Sequence, residues 1–314
     1  MRKSILSLWA VVIVAFAIPS CNDAEKSASN GLKYTLVKAG DGPLAGVGEY
    51  MTLNMSYKDQ NDSVWMNSTD GPYPVTLQKD SSWTSMEGSI YSIFADLKKG
   101  DSASFSIKCD DLYNNTFRTP VPPNIDPNAL ITFNVGIIDV YDNEGFQAWK
   151  KEMQEQQMKK MEEEAAEQLE EDLTIIDEYL QQNGIAAQKT ESGLSYVITD
   201  EGRGENAAEG AMVKVNYTGH VLNGDFFDSS VEEVAKEKGI YNEQRQYGPF
   251  EFKLGTGSVI KGWDEGIALL NKGAKATLYI PSPMAYGPTQ RGDKIGPNSI
   301  LIFDVELVDI NYEN

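Results

Sequence analysis

Histidine and cysteine are nearly absent from this chain of 314 residues: His220 stands alone, and the only cysteines are Cys21 and Cys109. One histidine with no cysteine to join it is poor material for a zinc site or a nucleophile–base pair. No metal and no cofactor is therefore expected, and His220 is assigned to a strand surface rather than to catalysis. Positive charge is scarce as well, with 27 Lys and Arg against 47 Asp and Glu, a net charge of -20. A field of that sign repels phosphate backbones, so nucleic acid is excluded as a partner. Gly255-Thr256-Gly257 is not followed by Gly-Lys-Ser/Thr, which removes a phosphate loop.

Long apolar runs are missing except at the start. Met1-Arg2-Lys3 and the run Ile5 to Ile18 form a basic segment and an apolar stretch too short for a permanent span. Ser20 precedes Cys21, and Asn22-Asp23-Ala24-Glu25-Lys26 turns polar at once. This resembles a bacterial lipoprotein signal, although Pro19 departs from the usual small residues; ordinary cleavage nearby is the alternative. The resemblance implies lipidation of Cys21 and an exported protein of the cell envelope, anchored to a membrane on the periplasmic side or at the cell surface. Cys109 would then be the one thiol of the mature chain, a small buried hydrophobe with no disulfide partner.

What is present is most specific between Val213 and Phe303. Val213, Val215 and Tyr217 alternate, as do Phe250, Phe252 and Leu254, the period of half-buried strands. Trp263, Ile267 and Leu270 keep helical spacing instead, with Gly273 as a stop. A helix this short must lie on the sheet to persist. That places Trp263 beneath a concave surface lined by aromatic residues.

The ordered motifs Val215-Asn216-Tyr217-Thr218-Gly219, Gly224-Asp225-Phe226-Phe227-Asp228-Ser229-Ser230, Pro249-Phe250-Glu251-Phe252, Val259-Ile260-Lys261-Gly262-Trp263 and Ala285-Tyr286-Gly287 resemble the FKBP-type peptidyl-prolyl cis-trans isomerases over about Gly193 to Ile310. The resemblance implies a bent antiparallel sheet around one short helix and turnover of Xaa-Pro bonds without covalent chemistry. Trp263 becomes the floor and Tyr217, Phe250, Val259, Ile260 and Phe303 the walls. Asp228 either faces the twisted carbonyl or fixes the hydrogen bonds of the pocket, and Tyr286 holds the substrate backbone. Phe227, Phe252, Ala285 and Ile295 complete the substrate contacts. At the rim, Arg291 and Lys294 depart from the family pattern, which bears on macrolide binding. An insertion, Val231 to Gly248, opens with a short helix ended by Gly239 and is expected to be a surface decoration, with a substrate clamp as the alternative.

The first half echoes the second. Gly31-Leu32-Lys33-Tyr34 repeats Gly193-Leu194-Ser195-Tyr196, and Leu97-Lys98-Lys99-Gly100 repeats Leu270-Asn271-Lys272-Gly273. In this alignment Ser56-Tyr57 matches Asn216-Tyr217, Pro72-Tyr73 matches Pro249-Phe250, and Tyr113 matches Tyr286. Asn67 stands at the position of Asp228, Ile90 at Trp263, and Met86-Glu87 at Val259-Ile260. A glutamate in place of Ile260 opposes burial of a proline ring unless it turns to water, so this copy is expected to be catalytically silent.

Between the copies, from Gly145 to Asn183, there is no proline, and Phe146, Trp149, Met153, Leu169, Leu173, Ile176 and Leu180 mostly keep three-to-four spacing, with Gly184 as the residue past the end. Unbroken, that helix runs on the order of 55 Å. It is expected to dock at its ends as an intrachain spacer, a homodimer through a coiled coil being the other arrangement open to it. The fold class that follows is α+β: two FKBP-like domains, each a bent antiparallel β-sheet wrapped around a short helix, joined by a long charged α-helix. The segments are 1–20 signal peptide, 21–30 lipidated tether, 31–142 degenerate domain, 143–184 connector and 185–314 catalytic domain. The expected partners are proline-containing polypeptides, turned over as a folding helper or, in the rival reading, held by a non-catalytic chaperone.

Overall fold

The structure, a computed structural model, describes residues 25–222 and 224–312. The leader and Cys21 lie outside the described residues. The chain divides into two compact units that meet inside a single helix, between Gln157 and Met158.

The first unit is built on a seven-stranded antiparallel sheet: β1 (Glu25–Ser27), β2 (Lys33–Lys38), β3 (Tyr50–Lys58), β4 (Val64–Asn67), β5 (Val75–Gln78), β6 (Ser102–Lys108) and β7 (Leu130–Tyr141). The order is β1-β2-β6-β7-β3-β4, and β5 also pairs with β3. The short helix α1 (Tyr91–Asp96) sends Ile93 and Phe94 into the core with Met51, Leu53, Phe105 and Phe133. A one-turn helix, α2 (Cys109–Asp111), follows β6, and Cys109 is buried as a free thiol.

The second unit repeats the plan. Its main sheet comprises β8 (Gln188–Lys189), β9 (Ser195–Asp200), β11 (Met212–Val221), β12 (Phe226–Ser229), β13 (Phe250–Lys253), β15 (Lys275–Ile280) and β16 (Leu301–Asn311). The order is β12-β11-β16-β15-β9-β8 with β13 on β11, while β10 (Arg203–Asn206) and β14 (Asn271–Lys272) make a separate two-stranded ladder. Helix α5 (Lys261–Ala268) crosses the sheet with Trp263 and Ile267 buried on its inner face, while Leu270, expected on the same face, is buried just past the end of the helix.

Two glycines four residues apart set how closely α5 approaches. A Cβ on Gly262 would lie 2.4 Å from Ile280 Cγ2, and one on Gly266 would lie 2.6 Å from Leu278 Cδ1. Each costs the helix about 1 kcal/mol of propensity, offset by contact with β15. Asp264 secures the entry to the helix, accepting from the backbone N–H of Gly255 at 2.9 Å and of Gly257 at 3.0 Å. The insertion after β12 forms α4 (Glu232–Glu237), followed by Gly239 in the left-handed region.

Helix α3 (Asn143–Gln182) runs for 40 residues and contributes to both units. In the first, Phe146 stacks on Tyr50 with ring centroids 3.9 Å apart, and Trp149 stacks on Tyr141. In the second, Ile176 and Leu180 are buried against Tyr279, Ile300 and Ile302. Its end is a Schellman motif: Ile185 N–H reaches Leu180 C=O at 2.9 Å and Gly184 N–H reaches Gln181 C=O at 3.2 Å. The apolar stripe thus docks at its ends, and the fold class is the one expected from the sequence.

Candidate active site

In the second unit a hollow of about 230 Å³ opens between the sheet and the N-terminal end of α5. Its wall is Tyr217, Phe227, Asp228, Phe250, Val259, Ile260, Trp263, Tyr286 and Phe303, with Ser258 as an addition the sequence did not single out. The rings stand edge-on around the indole. Trp263 lies 5.0 Å from Tyr217, 5.2 Å from Phe303 and 6.2 Å from Phe250, at interplanar angles of 79°, 84° and 73°. Edge-to-face pairs contribute about 0.5–1.5 kcal/mol each beyond their burial. The buried Trp263 Nε1 has no hydrogen-bond partner among the described residues.

Tyr217, Asp228 and Arg245 form a hydrogen-bonded cluster at the hollow. Tyr217 Oη donates to Asp228 Oδ2 at 2.5 Å, and the Arg245 guanidinium donates to Tyr217 Oη at 2.9 Å while pairing with the other oxygen of Asp228. Burial, followed by the bond to Asp228, pushes the Tyr217 phenol up to about 12. The phenol is therefore neutral in ordinary buffers, and the carboxylate is committed to two donors. Both carboxylate oxygens of Asp228 thus take part in the hydrogen bonds of the pocket.

Arg245 comes from the insertion, which therefore reaches the site instead of being only a surface decoration. Sequence spacing could not reveal this, because the contact spans a loop whose path no periodicity constrains. Three of the assigned substrate contacts fall off the wall of the hollow. Phe252 sits behind the floor, 5.8 Å from Trp263 and buried. Ile295 is buried where Arg291 and Ile295 form an isolated β-bridge, and Ala285 lines a neighbouring groove. Tyr286 faces both spaces, with the Arg291 guanidinium 5.3 Å above its ring.

A second distant contact steadies the Tyr286 loop. Asp172 of α3, almost fully buried, accepts from Ser282 N–H at 2.6 Å and from Gln168 Nε2 at 2.8 Å. Ser282 opens the turn Ser282–Met284 that delivers Tyr286.

The first unit shows what the same scaffold looks like when the cup is closed. Strand registers correct the sequence alignment: Met55 pairs with Val135 as Tyr217 pairs with Val305, and Tyr57 pairs with Phe133 as Gly219 pairs with Phe303. Tyr57 thus takes the place of Gly219, not of Tyr217. Likewise Met66, not Asn67, stands at the position of Asp228, since Met66 faces Tyr57 as Asp228 faces Gly219. Val75, not Tyr73, corresponds to Phe250. A shared hydrogen bond fixes the frame: Ser68 Oγ accepts from Met55 N–H at 2.9 Å, as Ser230 Oγ does from Tyr217 N–H at 2.8 Å.

The consequence is steric. A Cβ on Gly219 would already lie 2.6 Å from Phe303 and 2.7 Å from Phe227. In the first unit an entire phenol occupies that direction, its ring 4.8 Å from Phe133, and burial followed by the neighbouring Tyr113 raises its pKa. Glu87 is exposed, so the ring against Phe133 is that of Tyr57, and the glutamate takes no part.

Residues 203–308 match the family model described as FKBP-type peptidyl-prolyl cis-trans isomerase. The FK506-binding protein of Neisseria meningitidis serogroup A is 42% identical over 118 residues, which cover 37% of this chain and 96% of that protein. The probable FKBP-type peptidyl-prolyl cis-trans isomerase FkpA of N. meningitidis serogroup B is 38% identical over 176 residues, 55% of this chain and 58% of the relative's length. The crystal structure of FkpA from Escherichia coli aligns with a TM-score of 0.37 at 31% identity, covering 54% of this chain and 71% of that one. With one relative matched over nearly its whole length and the family model lying on the unit that carries the hollow, the chain belongs to the FKBP-type peptidyl-prolyl cis-trans isomerase family.

Proposed function

We propose that the second unit catalyses cis-trans isomerisation of Xaa-Pro bonds in polypeptides. The barrier to rotation is roughly 18–20 kcal/mol because amide resonance is lost on twisting. No bond breaks, so the protein needs only to bind the twisted amide better than either planar form. The observation that carries this reading is the aromatic cup over Trp263, whose hollow of about 230 Å³ has room for a proline ring. Water stabilises the polar planar amide, so displacing it from the aromatic faces of the cup favours the twisted one. Tyr217, Asp228 and Arg245 hold one another on one side, leaving the Tyr286 hydroxyl to steady the backbone of the substrate.

Exchange NMR on a proline peptide with the full chain tests this against the client-holding reading. Accelerated cis-trans exchange supports turnover; line broadening from binding without acceleration supports holding.

The site of action belongs to the same proposal. Cys21 is the lipid attachment point and the clients are exported proteins, with the rest of the chain held at a membrane surface. The basic and apolar leader supports this, and no helix among the described residues is long and apolar enough to cross a membrane. Fatty-acid labelling that vanishes in Cys21→Ser supports the anchor, and labelling that survives removes it. Sizing of the delipidated protein separates an intrachain role for α3 from a homodimer.

A further inference from the structure

The groove beside the hollow is the larger of the two spaces, about 620 Å³. One side is α3, presenting Met161, Glu164, Ala165, Gln168 and Glu171 at helical spacing. The other is the loop that carries Tyr286, with Pro283 and Pro288 exposing apolar surface to the groove. Both sides belong to the second unit. Asn298 Nδ2 donates to Gln168 Oε1 at 2.6 Å and Asp172 holds Ser282, so the two sides are tied together at the base.

Two features say what fits there. The groove shares the Tyr286 ring with the isomerase hollow, so a chain leaving that hollow over Tyr286 enters it directly. Its α3 side is acidic: Glu164 pairs with Lys160 at 3.6 Å, but Glu167 and Glu171 have no ion-pair partner among the described residues. An apolar base with unneutralised carboxylates complements a segment carrying lysine or arginine on an aliphatic stem.

We propose that this groove is an extended subsite for the polypeptide segment flanking the proline, and that Glu167 and Glu171 make it selective for a basic side chain. The proposal rests on the isomerase reading of the Trp263 hollow. Short peptides with one Xaa-Pro bond, carrying Lys, Gln or Glu at the flanking positions on either side, probe it by exchange NMR with the full chain. The carboxylates are exposed, so the preference is modest: kcat/KM for the Lys peptide exceeds that for the Glu peptide by about 3- to 10-fold at low salt, shrinking at about 0.5 M salt.

The Glu167→Gln/Glu171→Gln double variant is expected to bring that ratio below about twofold. Equal rates for the three peptides with the unaltered protein overturn the groove. So does a preference that survives in the double variant, because it then comes from the general negative field of the chain. A Gln peptide that is accelerated with no charge preference removes the groove alone. A Gln peptide that is not accelerated removes the isomerase reading and the groove with it.

Discussion

Replacing Gly219 by alanine adds one methyl group at the tightest point of the cup. That carbon would lie 2.6 Å from Phe303 Cε1 and 2.7 Å from two ring atoms of Phe227, where carbon contacts settle at about 3.5–4.0 Å. Relief requires a ring displacement on the order of 1 Å, and Phe303 has little freedom to move, wedged against Trp263 at 5.2 Å and Phe227 at 5.6 Å. Overpacking of this kind costs about 1–3 kcal/mol, or roughly 4 °C in Tm per kcal/mol for a unit of this size. A misplacement of about 1 Å at a reacting centre costs on the order of 100-fold, so kcat/KM is expected to fall by about 10- to 100-fold. The assay pairs exchange NMR on a proline peptide with thermal unfolding. Gly296→Ala serves as the control, because its new carbon would meet nothing nearer than Ser299 Oγ at 3.8 Å. Unchanged kcat/KM and Tm for Gly219→Ala would refute the steric argument, and with it the explanation of why the first unit is closed.

Tyr57→Gly makes the converse change. It is expected to cost the first unit about 2–4 kcal/mol without creating turnover, since Met55 and Met66 stand where Tyr217 and Asp228 stand in the second unit; an increase in isomerisation by the full chain counts against this. Asp172→Ala leaves the Ser282 N–H unpaired and is expected to lower stability by about 1–3 kcal/mol together with kcat/KM, while Asp172→Asn, which keeps an acceptor, restores most of both in the same two assays. Tyr217, pushed up to about 12 in the folded chain from about 10 in a model peptide, contributes to the alkaline pH profile alongside Tyr34, Tyr57, Tyr141 and Tyr279, which are raised as well. The Tyr217 contribution to stability is complete below pH about 10 and is lost as the pH rises towards 12, so Tyr217→Phe is expected to reduce the alkaline loss seen in denaturant titrations across that range.

The second unit was largely legible because its site is assembled from short motifs. Trp263 and Ile267 share a helix face by spacing alone, and Tyr217 and Gly219 follow Val213 and Val215 along one strand. What escaped depends on tertiary neighbours. Phe252 alternates with Phe250 and so has the pattern of a wall residue, but strand pairing places it behind Trp263. Arg245 and Asp172 act across 17 and 110 residues of chain, distances over which no local pattern carries information.

In the first unit, matching tyrosine to tyrosine placed Tyr57 two residues out of register. The error arose because the strand there lacks the aromatic landmarks of its counterpart: Met55, Met66 and Val75 replace Tyr217, Asp228 and Phe250. Only the backbone ladder reveals the correct frame. The insertion reads as a surface decoration because loops between strands usually are, a rule that says nothing of Arg245, which turns towards Asp228 and Tyr217.

The central claim is that the hollow over Trp263 accelerates rotation about a peptide bond to proline. Its most direct test is the cis-trans exchange rate of one proline peptide measured with the full chain, with Trp263→Ala and with Asp228→Val, each first shown to be folded. The unaltered chain should accelerate exchange, and both variants should lose at least about tenfold of that acceleration, equivalent to 1.4 kcal/mol of barrier. Equal rates for all three would contradict the assignment.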